Sequence, residues 1–309
     1  MRKAVLAIVA VVAAGPAAAD DGAAVLAAGG IVFTRGTPVQ MLSEDLYVSP
    51  QKVRVRFEFY NPAKRDVATV VAFPLPDLDN VELGPPTNIG TTKYDPVNFV
   101  GFRVRVDGQP QAFATEQRAL LKDRDITGLL KAAAMPVNVT TEGGRQAREQ
   151  ALERMTPAQR AQLVAAGAIE DDTGFPNWTT RTRFYWAQVF PAETTTVIEH
   201  EYQPVTGNWN TSRNLFDDPE LAKQYCAKPD IAHAVTLNGA AYQTQYVLST
   251  AKTWSGPIRR FHLTLDKLKP GAVLSLCWDG VLKKTSPTTF TFDARNYVPT
   301  HDIDMVVLE

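Results

Sequence analysis

The sequence predicts a mostly β protein, an antiparallel β-sandwich with a helical insertion, built as one β unit or as two β subdomains. Three observations carry this prediction. Short runs alternate apolar and polar residues with a period of two, as half-buried strands do. Clusters of Pro, Gly, Asn and Asp punctuate those runs. A helical period appears only near residues 125–168, between two strand-rich regions.

Residues 52–60 place Val53, Val55, Phe57 and Phe59 on one face and Arg54, Arg56, Glu58 and Tyr60 on the other. The turn residues Asn61-Pro62-Ala63-Lys64 lead into a more apolar run, 67–73, closed by Pro74 and Pro76. The two runs read as a β-hairpin. Residues 83–97, with Gly84-Pro85-Pro86 and Asp95-Pro96, read as a surface loop. Phe102, Val104 and Val106 then alternate with Arg103 and Arg105 before an Asp107-Gly108 turn, with a return strand expected near Gln111.

Asp125 can cap a helix carrying Ile126, Leu129, Leu130 and Ala133, stopped by Pro136. Gly143-Gly144 reads as a linker before a second helix, 145–155. Thr156, Pro157 and Gln159 place a cap, a first-turn proline and a capping-box glutamine in register. That third helix ends at Gly167. Strands resume at 181–190 and 195–202, read as another hairpin around Pro191-Ala192-Glu193. The polar stretch 203–214 marks a boundary, and Asp218-Pro219-Glu220 starts a short helix that runs to about Cys226. Five strands follow at 242–249, 258–265, 272–278, 290–293 and 303–308. The organisation expected is a leader over 1–19, an N-terminal β domain over 20–204 that holds the insertion, and a C-terminal β subdomain over 205–309.

The leader is the strongest signal. Arg2 and Lys3 precede an apolar run from Ala4 to Ala14, which Gly15-Pro16 breaks. Ala17-Ala18-Ala19 supplies the small residues that a signal peptidase needs, placing cleavage between Ala19 and Asp20. The run is shorter than the roughly 20 apolar residues that span a bilayer, and no later stretch is long and apolar enough to do so. The mature chain is therefore expected to be soluble, without a transmembrane segment, and periplasmic or secreted. Apolar content of 45% and charged content of 21% suit a globular fold, and a net charge of −1 gives no field to attract nucleic acid. In an oxidising compartment Cys226 and Cys277 are expected to pair, with two buried thiols as the alternative. The bridge would close a loop of about 50 residues, worth about 4 kcal/mol in a chain-entropy account.

Several landmarks occur in order along the mature chain. They are Gly30-Ile31-Val32-Phe33, Met41 with Ser43-Glu44-Asp45-Leu46, and Val71-Ala72-Phe73-Pro74-Leu75-Pro76-Asp77. Phe184-Tyr185-Trp186, Phe190-Pro191-Ala192, Glu199-His200 with Tyr202 and Pro204, Trp254 with Gly256-Pro257-Ile258, and Asn296-Tyr297-Val298-Pro299 complete them. With these the chain resembles a family of exported bacterial proteins that carries only a domain-of-unknown-function label. The resemblance implies a periplasmic address and transfers no catalytic or binding residue.

The residues offer few reactive constellations. A metal reading would gather His200 and Glu199 or Glu201 with His301 and Asp302 or Asp304, but successive strand residues face opposite ways. His233 and His262 complete the histidines, and no metal-binding spacing is present. No metal or other cofactor is expected. Ser43-Glu44-Asp45 suits local bonding to backbone at a strand entrance, and Asp171-Asp172 and Asp217-Asp218 suit caps and loops. The best binding candidates are Tyr185, Trp186 and His200: one of the two successive aromatics must face outward unless the insertion helices cover it. Two function classes follow. The preferred one is a non-catalytic envelope protein that binds a partner protein or small ligand. The alternative is a hydrolase acting on an envelope polymer or carbohydrate through dispersed carboxylates.

Overall fold

The computed structural model describes residues 22–27, 30–80, 95–210, 219–227 and 240–309. The expected cleavage point at Ala19 and Asp20, most of the 83–97 loop, Asp217-Asp218 and His233 lie outside the described residues. In chain order the strands begin with β1 (Gly22–Ala27), β2 (Gly30–Phe33), β3 (Gln40–Val48), β4 (Val53–Tyr60), β5 (Val67–Pro74) and β6 (Leu78–Asp79). They continue with β7 (Arg103–Val106), β8 (Gln109–Pro110), β9 (Ala114–Leu121) and β10 (Arg124–Asp125). Helices α1 (Thr127–Ala132), α2 (Glu142–Arg154) and α3 (Pro157–Ala165) precede β11 (Thr179–Phe190), β12 (Thr195–Tyr202) and β13 (Thr206–Asn210). The chain closes with α4 (Pro219–Gln224), β14 (Ala240–Tyr246), β15 (Ile258–Asp266), β16 (Val273–Leu276), β17 (Lys283–Lys284), β18 (Thr289–Tyr297) and β19 (Ile303–Leu308).

These strands form three sheets. A seven-stranded sheet runs β10-β9-β11-β5-β1-β2, with β6 beside β11. An eight-stranded sheet runs β17-β18-β15-β3-β4-β12-β7-β8, and a four-stranded sheet runs β13-β14-β19-β16. The fold is mostly β and sandwich-like, as the alternation predicts. Val53, Val55, Phe57, Phe59 and Ile198 of the eight-stranded sheet face Val71, Phe73, Phe184, Trp186 and Phe190 of the seven-stranded one in a single core. Each fully buried side chain of this size contributes about 2 kcal/mol by leaving water. Pairing is antiparallel except that β15 lies parallel to β3. The part of the chain beyond residue 205 thus extends the same sheet as β3 and β4 and also builds the four-stranded one.

Two expected hairpins do not form. β4 pairs with β3 and β12, whereas β5 pairs with β1 and β11. Likewise β11 and β12 belong to opposite sheets. The turns after β4 and β11 are corners that carry the chain from one layer to the other. Asn61, fully buried, holds the two corners together: its Nδ2 donates to the Arg65 and Phe190 carbonyls at 2.9 Å each, and its Oδ1 accepts from the Ala63 N–H. Asp66 accepts the Ala192 N–H, tying the same corners again. Alternation identifies the buried face of a strand but not the sheet it joins. The return strand expected near Gln111 also divides. Gln109–Pro110 pairs back on β7 and the Gln111 N–H donates to the Val104 carbonyl at 3.0 Å, but the next long strand, β9, crosses to the seven-stranded sheet.

The insertion folds as expected in outline. Thr156 accepts the Gln159 N–H while the Gln159 side chain returns to the Thr156 N–H, completing the capping box. Asp125 accepts the Thr127 N–H at 2.9 Å but stands one residue before the N-cap, which is Ile126 and makes no side-chain capping bond. The glycine pair is not a linker. Thr141 caps α2 and accepts from Gly144, a helical position that takes glycine because a Cβ there would stand 2.1 Å from the Asn138 carbonyl oxygen. Ile126, Leu130, Val139 and Leu163 pack with Trp178 and Ala119 in a separate small core. Trp178 Nε1 donates to the Val137 carbonyl, locking the insertion to the base of β11. Cys226 and Cys277 form the expected disulfide, joining the segment after α4 to the segment after β16 across a separation of 51 residues.

Candidate functional site

The eight-stranded sheet buries alternate side chains, so the remaining ones build a polar outer face. Asp45 of β3, Arg54 and Arg56 of β4, and Arg103 and Arg105 of β7 are exposed there, with Glu199 and Glu201 of β12 half-buried between the arginines. Strand register sets their order. Asp45, Arg56, Glu199 and Arg105 lie in one row across four strands, and Tyr47, Arg54, Glu201 and Arg103 lie in the next. Together they line a groove of about 360 Å³ whose floor includes Val55 and His200. That volume falls in the range of small-ligand sites, roughly 300–1,000 Å³.

Some of these charges are engaged and others are not. Lys52 lies 3.3 Å from Glu201, Arg56 pairs with Glu58 at 2.8 Å, and Arg54 stacks over the Tyr47 ring at 5.6 Å. Burial together with a hydrogen bond to Asp266 raises the Tyr47 pKa. The Arg56 hydrogen bond holds Glu58 below the usual carboxylate range. Among the described residues Arg103, Arg105 and Glu199 have no ion-pair partner. Guanidinium groups offer planar forks that match carboxylate or phosphate oxygens two at a time. The arrangement can therefore hold an anion and fix its orientation. Glu199 and Glu201, two residues apart on one strand, stand about 7 Å from each other by strand geometry.

The sequence-based candidates divide between the core and other surfaces. Trp186 is 3% exposed and is covered by the opposite sheet rather than by the insertion helices. Its Nε1 donates to Gln188 Oε1 at 3.2 Å. Tyr185 points the other way, half-buried against Phe33, Val70 and Ala72 on the outer face of the seven-stranded sheet. His200 is brought to Trp186, ring centroids 5.6 Å apart and perpendicular, within a cage completed by Phe57, Phe73 and Phe102. Burial drives its pKa down to about 3, so at neutral pH this imidazole is uncharged. It lies directly beneath the groove but turns its side chain away from it.

The residues of the metal reading do not converge. Glu199 and Glu201 face the groove while His200 faces the core. His301 Nδ1 lies 3.3 Å from Asp279, and Asp302 accepts the Leu248 and Ser249 N–H groups at 3.0 Å each. Asp304 pairs with Gln224, and burial raises its pKa. His262 pairs across strands with Asp293 at 2.7 Å. Among the described residues no three His, Cys, Asp or Glu side chains gather as a metal site would require. Ser43-Glu44-Asp45 is not a strand entrance: it lies within β3, with Glu44 buried, Asp45 on the groove and Ser43 hydrogen-bonded to Glu58. Asp171 and Asp172 do sit in a loop, beside Arg160 and the Thr173 N–H.

Alternation alone puts Arg54, Arg56, Arg103 and Arg105 on polar strand faces and does not join them. The available signal was the repeated Arg-x-Arg on two alternating strands. Joining them required the long-range pairing of β4, β12 and β7.

Comparison with known proteins adds a family and little else. No curated protein matches the chain. Among solved structures, a candidate nutrient-binding protein from Legionella pneumophila subsp. pneumophila str. Philadelphia 1 is similar at a TM-score of 0.47 and 12% identity. The match covers 89% of this chain and 68% of that one. At that level the likeness bears no argument. No helix among the described residues is long and apolar enough to cross a membrane. The model of one family does match nearly the whole sequence, residues 19–306, and the chain belongs to that family, the domain of unknown function DUF4424.

Proposed function

We propose that this is an exported, non-catalytic binding protein of the cell envelope that takes a small carboxylate- or phosphate-bearing ligand in the arginine groove of its larger sheet. The observation that carries the reading is the pair Arg103 and Arg105, two guanidinium groups with no carboxylate partner among the described residues, lining a groove of about 360 Å³. Unengaged, closely spaced cations on a rigid strand are poised for an incoming anion, because a sheet holds them more firmly than a loop would. Export is supported by the Arg2-Lys3 leader with its Ala4–Ala14 run and by a disulfide of a kind that persists outside the cytoplasm.

The test is to purify wild type and an Arg103→Ala/Arg105→Ala variant from the native envelope fraction and identify co-purifying small molecules by mass spectrometry. A carboxylate- or phosphate-bearing compound retained by wild type and lost from the variant is the expected result. Recovery of no such compound, or equal recovery from both, overturns the reading. The first residue of the same material reports on export: Asp20 is expected, and Met1 would contradict it.

One observation favours the second reading, a hydrolase acting on an envelope polymer. Glu199 and Glu201 share a groove at a spacing used by paired catalytic carboxylates, roughly 5–10 Å. Such chemistry works best where water is excluded, whereas this groove is an open sheet face. Turnover of envelope glycans by wild type that Glu199→Gln abolishes would establish the hydrolase instead.

A further inference from the structure

We infer that the groove selects a zwitterion, an extended molecule whose carboxylates meet the arginines and which places an ammonium group on Glu199, rather than a simple anion. The inference rests on the groove being a ligand site and goes on to assign the ligand's charge pattern.

Sign alternates across the sheet at the spacing of neighbouring strands, about 4.8 Å. In the first row negative Asp45 is followed by positive Arg56, negative Glu199 and positive Arg105. In the second, positive Arg54 is followed by negative Glu201 and positive Arg103. An anion seated on either arginine column therefore lies one strand spacing from a carboxylate that repels it. A bare cation seated on β12 is flanked on both sides by guanidinium groups. Only a molecule that carries both signs meets attraction at every position. Glu201 already has Lys52 at 3.3 Å, whereas Glu199 has no cationic partner within 4 Å among the described residues, so Glu199 is the first seat for the ammonium. Arg56 already has Glu58 at 2.8 Å, so Arg54 is the open seat on β4, and the glutamate column separates it from the β7 arginines by two strand spacings or about 10 Å. An extended seven-carbon diacid with an amino group beside each carboxylate approaches that span, and the groove volume of about 360 Å³ admits it. Binding of this kind uses bidentate Arg–carboxylate contacts for affinity and the glutamates for selection.

Three probes separate the charge requirements: diaminopimelate carries both signs, pimelate has the carboxylates alone, and cadaverine has the amines alone. Isothermal titration at neutral pH and low salt is expected to give diaminopimelate at least tenfold tighter binding than pimelate and no measurable binding of cadaverine. Glu199→Gln is expected to weaken diaminopimelate and strengthen pimelate until the gap closes, while Arg103→Ala/Arg105→Ala weakens both. Pimelate binding as tightly as diaminopimelate to wild type would overturn the zwitterion inference and leave the anion groove standing. Binding of neither carboxylate would overturn both. Unchanged melting of the variants, read in the same preparations, excludes misfolding as the cause.

Discussion

On the outer face of the seven-stranded sheet Arg118, Arg181 and Arg183 each close on a carboxylate, whereas on the eight-stranded sheet Arg103 and Arg105 close on none among the described residues. Arg181 contacts both oxygens of Asp77, the closest at 2.7 Å, and Glu116 takes Arg118 on one oxygen at 3.1 Å and Arg183 on the other at 3.2 Å. Arg118 also bonds Asp125, and Arg183 lies over the Phe33 ring. Burial lowers the Arg183 pKa, with Glu116 opposing that shift. Both faces use the same residue types at the same strand period. A cross-strand ladder whose charges are internally neutralised stabilises its sheet. One whose guanidinium groups stand apart leaves interaction energy for something that arrives from solution.

The largest expected effect concerns β12, the strand whose outward Glu199 and Glu201 line the groove while His200 points inward. The folded-state pKa of His200, about 3, lies below its unfolded value of about 6.5. Below that unfolded value the unfolded chain binds a proton that the fold refuses, so stability is complete above pH 6.5 and falls as pH drops toward 3. Urea titrations should show a loss on the order of 3 kcal/mol between pH 6.5 and 4. His200→Phe should flatten that acid limb, and an unchanged slope would remove His200 from the cause.

Next in size, Glu116→Ala should cost about 2 kcal/mol, because it leaves the largely buried Arg183 guanidinium without its carboxylate. Chemical denaturation measures this, and a cost near zero would erase the contrast between the two faces. Smallest of all, Arg103→Ala and Arg105→Ala should each change stability by less than about 0.5 kcal/mol, as expected for exposed residues without partners. A larger loss from either would mean that these arginines support the sheet as their counterparts do.

The sequence reveals local structure better than assembly. Val53, Val55, Phe57 and Phe59 announce the buried face of β4, Thr156 with Gln159 announces a helix start, and two cysteines in an exported chain announce a bridge. Each of these signals is contained within a few residues or follows from the compartment. Which sheet a strand joins is a different kind of information. β4 and β5 both present apolar faces, and nothing in their alternation shows that the turn between them, tied to the β11–β12 corner by Asn61 and Asp66, is a crossing between layers. The groove is less legible still. Arg56 and Arg105 flank Glu199 only because β12 lies between β4 and β7, pairings of segments about 140 and 90 residues apart. Trp186, the most conspicuous aromatic of its segment, belongs to the core because the opposite sheet covers it.

Whether Arg103 and Arg105 of the larger sheet are free for a ligand while Arg118, Arg181 and Arg183 of the smaller are consumed by the fold is tested most directly at the guanidinium groups themselves. Arginine Nε–Hε resonances, assigned by single substitution, should report diaminopimelate binding as shifts at Arg103 and Arg105 with those of Arg181 and Arg183 unmoved. Equal shifts on both faces, or none at Arg103 and Arg105 at saturating probe, would contradict it.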